Sequence, residues 1–212
     1  MRWGGRDAPP AKRRLKVATW NAIAATTRAI LGLLEDAYPR EFGKLAFAPA
    51  HVNEFAGDKI PPDGFTLCLY RVVVNGSVRN LPPRVSPEGI RYRPSLPIDL
   101  QYLLTPWAGN VEKQQRLLGW GMRQLEDNAI LPAGLLNRFL KEPDVFRPTE
   151  TVELVCEPLS LSDFTNVWDK LKPRMETSVT YVARMVLIDS DIELREGPPV
   201  HTRVFEMAKV LA

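Results

Sequence analysis

The spacing of apolar residues changes several times along this chain, and each change predicts an element. Val17, Trp20, Ile23, Ile30 and Leu34 recur at helical spacing and predict a helix from about Val17 to Ala37, stopped by Tyr38-Pro39. "KLAFAPAH" reads as a short strand broken by Pro49, and "TLCLYRVVVN" as the clearest strand, bounded by Gly64 and Gly76. A second helix is predicted from Val111 to Asn128, with Leu117, Leu118, Trp120 or Gly121, Met122 and Leu125 on its apolar stripe. "PAGLLNRFL" predicts a short helix with Pro132 near its start. "TVELVCEPL" predicts a strand. "SLSDFTNVWDKL" predicts an amphipathic helix capped by Ser160 or Ser162, with Phe164, Val167, Trp168 and Leu171 inward. "SVTYVARMVLID" predicts another strand, and a last short one is expected from about Thr202 to Glu206.

One stretch departs from simple alternation. In "LPIDLQYLLTPWAG", Ile98, Leu100 and Tyr102 alternate with Asp99 and Gln101, and then Leu103-Leu104 make both faces apolar. A strand that becomes apolar on both faces is covered by something, in its own chain or in another. The stripe of the 111–128 helix is the expected cover for Leu103-Leu104, while the strand end at Pro106-Trp107 is left unexplained. Strands and helices mix without regular βαβ alternation. This predicts an α+β fold, a single mixed or antiparallel sheet with helices packed on one face. Residues 1–16, basic and containing Gly and Pro, read as a flexible extension, and residues 17–212 as one domain.

Composition narrows the function class. At 45% hydrophobic and 25% charged, the 212 residues resemble an ordinary globular protein, and a net charge of +3 demands no anionic partner. Cys68 and Cys156 each sit in an apolar run and read as reduced, buried thiols. The 19 prolines are about twice what average usage of about 5% would give, and they imply stiff loops between the elements. The stretch from Arg79 to Pro97, rich in proline and arginine, is the longest of these loops. Arg13-Arg14 before a moderately apolar run could pass for a signal, but Asn21, Thr26, Thr27 and Arg28 interrupt it, so no signal peptide is expected. No run is long enough to span a membrane.

A search for chemistry finds little. His51 and His201 lack a second ligand at helical or Cys-x-x-Cys spacing, and Cys68 and Cys156 would have to converge on them to hold zinc. No nucleophile elbow and no phosphate-binding loop occurs, and the prolines of "GDKIPPDG" remove N–H groups a phosphate cradle needs. Gly119 and Gly121 in "LLGWGMR" read as sites of close helix approach. The pairs Glu35-Asp36 and Asp189/Asp191 read as solvated ends. Lys12, Arg13, Arg14 and Lys16, with Arg79, Arg84, Arg91 and Arg93, could meet phosphates, but no aromatic platform is interleaved with them. Trp3, Trp107 and the arginine-rich loop remain as docking features, with Trp107 equally able to plug the core.

Four segments occur in an order that resembles a known family: "FTLCLYRVVVNGSVRN", "SLPIDLQYLLTPWAG", "RLLGWGMRQLEDNAILP" and "VWDKLKPRMETSVTYVARMVLID". The motifs are Leu-Tyr-x-Val then Arg-Asn, Leu-x-Tyr-Leu-Leu-Thr, Leu-Leu-Gly, and Trp-x-x-Leu ahead of Ser-x-x-Tyr. Together they resemble the tail-terminator, or cap, family of phage-tail-like extracellular contractile injection systems, from about Val17 to Val200. The charged extension before Val17 is longer than that family's pattern, and the chain ends soon after Val200.

The resemblance implies a homo-hexameric α/β ring at the distal end of the particle, closing the inner tube and the sheath and fixing their length. It implies no catalysis, cofactor, small-molecule substrate or membrane contact. Its partners would be the tube and sheath proteins, with cytoplasmic assembly before any release of the particle. A ring needs heterologous contacts, one side of a subunit against another side of the next. The expected assembly interface is the strand end at Thr105 and Trp107 with the Arg71, Arg79 and Asn80 region. Competing readings are a tail completion or connector protein, a nucleic-acid-binding module and a small enzyme.

Overall fold

The computed structural model describes residues 20–51, 54, 60–78, 80–140, 145–171 and 176–194. The expected start of the first helix before residue 20, Arg79, His201 and the strand near residues 202–206 lie outside the described residues.

Helix α1 (Ala22–Ala37) buries Ala22, Ala25, Ala29, Ile30 and Leu34 on one side. It ends where Tyr38 turns extended ahead of Pro39, as the ring of a following proline requires. Its neighbours on the same layer are α2 (Val111–Asp127) and α3 (Ala133–Arg138). Asn110 caps α2 by accepting the Lys113 N–H at 2.8 Å.

Six strands form the main sheet: β1 (Ala46–Pro49), β2 (Gly64–Val74), β5 (Leu96–Trp107), β6 (Ile130–Pro132), β7 (Thr151–Cys156) and β8 (Val179–Ile188). Their spatial order is β1-β2-β5-β8-β7-β6, and only the β1–β2 pair is parallel. The mixed sheet agrees with the α+β expectation. Gly64 is needed where β1 meets β2, because a Cβ there would fall 1.9 Å from the Ala46 carbonyl oxygen.

The β5 strand is the centre of the fold. Leu100, Tyr102 and Leu104 face α1, α2 and α3 in the main core, joined by Phe65, Leu67, Tyr181 and Ala183. Leu103 faces the other way and packs with Cys68 and Trp168. Trp168 belongs to α4 (Leu161–Leu171), whose start is a reciprocal cap: Ser160 Oγ accepts the Asp163 N–H and donates to the Asp163 carboxylate.

Helices therefore lie on both faces of the sheet, which corrects the expectation of one covered face. The cause is the doublet Leu103-Leu104: α2 lies on the layer that takes Leu104 and α4 covers Leu103. Two further differences involve short pieces. Ile130–Pro132 is an edge strand, too brief for any alternation to show. The proline-rich excursion contains a second sheet, β3 (Arg84–Val85) paired with β4 (Arg91–Tyr92). Of the two α2 glycines, Gly121 meets Phe65 and Gly119 meets nothing within 4 Å, so close approach explains only Gly121.

Candidate assembly interface

The expected interface residues fall in three settings. Thr105 is fully buried, and its hydroxyl pairs with the Ser178 hydroxyl at 2.8 Å. Trp107 is half-buried against the α4 cluster, and its indole N–H donates to Thr66 Oγ1 at 2.9 Å. Both side chains thus hold the far end of β5 in place, and Trp107 stays partly exposed. Arg71 and Asn80 are exposed, and Arg79 lies outside the described residues.

The register separates these groups. Trp107 pairs with Gly64, whereas Arg71 pairs with Gln101, six residues earlier on β5. At the strand rise of about 3.3 Å per residue, that is about 20 Å. The Trp107 end and the Arg71 region are two places on the molecule, not one patch, because antiparallel pairing sends β2 and β5 in opposite directions.

Arg71 follows a bulge between Leu69 and Arg71, which re-aims the second half of β2. Strand β1 pairs with β2 only as far as Leu67. Among the described residues no strand lies against residues 69–74 on that side, and Val72 and Val74 are 46% and 44% exposed. An open edge of this kind is a template for another strand. Its far end is pinned: the Asn75 amide and the Met185 N–H both donate to the Asp99 carboxylate, at 3.1 and 3.0 Å, and Met185 has φ 60 at the matching bulge of β8.

The small sheet is fixed to the body by buried charge. Asp189, whose side chain is 1% exposed, sits 3.5 Å from Arg84 Nε and 3.3 Å from Arg147 Nη2, and the Ser95 hydroxyl donates to it. Arg147 also holds Glu150, so two cations meet two carboxylates. Arg84 stacks 4.0 Å above the Tyr92 ring and donates to the Ser190 carbonyl. Asp189 is thus not the solvated strand end that its place beside Asp191 suggested. Partners distant in sequence decide its burial, and no local pattern shows them.

Elsewhere, a cavity of about 240 Å³ lined by Phe146, Thr149, Glu150, Thr151, Met185 and Leu187 opens beyond the last β7–β8 pair. Cys68 and Cys156 are free, and burial raises both thiol pKa values, that of Cys68 to about 11. Among the described residues no three His, Cys, Asp or Glu side chains come together as a metal site, and no helix is long and apolar enough to cross a membrane.

Residues 25–202 match the family described as the Pvc16 N-terminal domain. The chain belongs to that family. Two solved structures resemble it along most of its length. The PVC sheath/tube terminator of an extracellular contractile injection system, in its extended state, is 16% identical over 90% of this chain, with a TM-score of 0.56. The tube-terminating cap of the anti-feeding prophage is 14% identical over 86%, with a TM-score of 0.57. At these identities the likeness is one of fold. The chain covers 65% and 60% of those two chains. No curated protein matches it.

Proposed function

We propose that this protein is a structural terminator of a contractile injection particle: a hexameric ring that closes the distal end of the inner tube and the sheath and fixes their length. The observation that carries the reading is the Pvc16 N-terminal domain match over residues 25–202. The terminator and cap folds of the two solved structures support it. The surfaces described above suit assembly. The open edge of β2 beside Arg71 and Asn80 offers backbone groups to a neighbour, and the partly exposed Trp107 offers an aromatic contact about 20 Å away along β5. The Arg71, Arg79 and Asn80 region and the Thr105–Trp107 end then serve different partners, one a neighbouring subunit and the other the tube or sheath. Assembly takes place in the cytoplasm, before any release of the particle, and needs no cofactor.

The test is to add tagged protein to particles assembled without it and image the tag, with light scattering on the free protein. Label at the distal end only, and a six-chain mass, are expected. Label at the opposite end makes it a connector; label along the whole length, or on none, contradicts the reading.

A further inference from the structure

The open edge of β2 differs from the two outer edges of the main sheet. Strand β1 carries Pro49 and β6 carries Pro132, and proline blunts an edge by withholding an N–H. The edge from Leu69 to Val74 has no proline and ends in Val72-Val73-Val74, three residues of high strand propensity. Val72 and Val74 pair with Leu100 and Ile98, which are 0% and 2% exposed on the helix-covered face. The two valines share that face, yet they are nearly half exposed. The helix layer therefore stops short of the second half of β2. Free backbone groups beside half-exposed valines invite a further strand.

One strand expected from the sequence has no place among the described residues: Thr202 to Glu206, "TRVFE". The chain that leads to it departs near the right end of β2. Arg93 N–H donates to the Ile192 carbonyl, and Asn75 N–H donates to the Pro97 carbonyl. Four residues of chain, about 13 Å, separate Arg93 from Pro97. With about 5.5 Å for each hydrogen-bonded step, Ile192 lies within about 25 Å of Asn75. The ten residues from Ile192 to Thr202 span about 31 Å when extended, the conformation that Pro198-Pro199 favours. The segment can therefore meet the edge at Val74 and run from there toward Arg71, antiparallel to β2.

We propose that residues 203–206 of the same chain add to this edge as a seventh strand of the main sheet, with Arg203 opposite Val74, Val204 opposite Val73, Phe205 opposite Val72 and Glu206 opposite Arg71. This register sets Phe205 on the helix-covered face beside the half-exposed Val72, joins two valines, and brings a carboxylate to exposed Arg71. A slip of one residue turns Phe205 to the other face, and a slip of two sets Glu206 against an apolar residue.

The added strand is a guard. It closes the edge in the isolated chain, so a neighbour's strand has to displace it, and the edge opens only where the contacts of assembly outweigh the guard. This goes beyond the terminator reading, and it holds whether or not the chain ends a tube.

Cross-linking tests the register in the full-length chain. Val73→Cys with Val204→Cys, in a Cys156→Ser background, is oxidised at low concentration, and its mass is read without reductant. A disulfide within one chain is expected, and Val73→Cys with Lys209→Cys, out of register, should not form one. Amide hydrogen exchange gives a second readout. Val204→Pro, which breaks the added ladder, should speed exchange of the outward-facing amides of residues 71–74 on the order of 100-fold.

No disulfide, or one formed equally well from position 209, overturns the proposal. So does exchange at residues 71–74 that is equally fast in the wild type and in Val204→Pro. A disulfide formed only between chains replaces the guard with the same segment of a second copy. None of these results touches the terminator reading, which the tag-imaging experiment judges separately.

Discussion

Gly121 of α2 lies against the ring of Phe65: a Cβ built on it would sit 2.9 Å from Cζ. The helix reaches the sheet at this point only because the residue has no side chain. Gly121→Ala gains helix propensity of about 1 kcal/mol but overpacks the core, at a cost of about 1–3 kcal/mol. The expected net effect is destabilisation by about 1 kcal/mol. Gly119→Ala, with nothing within 4 Å, should instead stabilise by about 0.5–1 kcal/mol. Urea unfolding of the two variants reads the opposite signs directly, and two gains would remove the close contact.

Asp189 gives the second prediction. Asp189→Asn leaves Arg84, whose side chain is 8% exposed, without its counter-charge. Removing one member of a buried pair costs about 3–5 kcal/mol. Asp191→Asn, on an exposed residue, should stay within about 0.5 kcal/mol of wild type. Thermal unfolding compares them, and equal stabilities would return Asp189 to the solvated strand end that the sequence suggested.

These two sites also show what could be read in advance. Helices α1 and α2 and strands β2, β5, β7 and β8 are long enough for periodicity to speak, and the apolar doublet Leu103-Leu104 signalled a cover. The second helix layer, α4 over Leu103, was not foreseen, because the doublet does not say which element lies on which face. The pieces that escaped are two or three residues long, such as β3, β4 and β6, where no period can repeat. The interface expectation joined Trp107 to Arg71 because their segments are neighbours in sequence order. Antiparallel register, which no local pattern encodes, places them at different ends of the pairing.

Thiol chemistry gives the third prediction. Cys68 is 1% exposed, and burial, with Glu54 second, raises its thiol pKa to about 11, whereas Cys156 is half-buried and less displaced. Iodoacetamide at pH 8 should therefore modify Cys156 first, as peptide mass mapping would record. Prior labelling of Cys68 would contradict its burial.

Alkaline pH gives the fourth. The folded-state pKa values of Cys68 and Tyr102 are both raised, mainly by burial. A raised value means the folded state keeps its proton longer, so this stability is complete below the unfolded values, about 8.5 for Cys and about 10 for Tyr. It is lost as pH rises, for Cys68 through about 11. Cys68→Ala should flatten the fall in stability between about pH 9 and pH 11. A slope identical to wild type would contradict the assignment.

The proposed role of this protein is to end the growth of tube and sheath. The most direct measurement is the length distribution of particles imaged from cells with and without it. A terminator gives one narrow length when it is present, and broad, overlong or unsheathed tubes when it is removed. Particles of the same single length, with closed ends, in its absence would contradict that role.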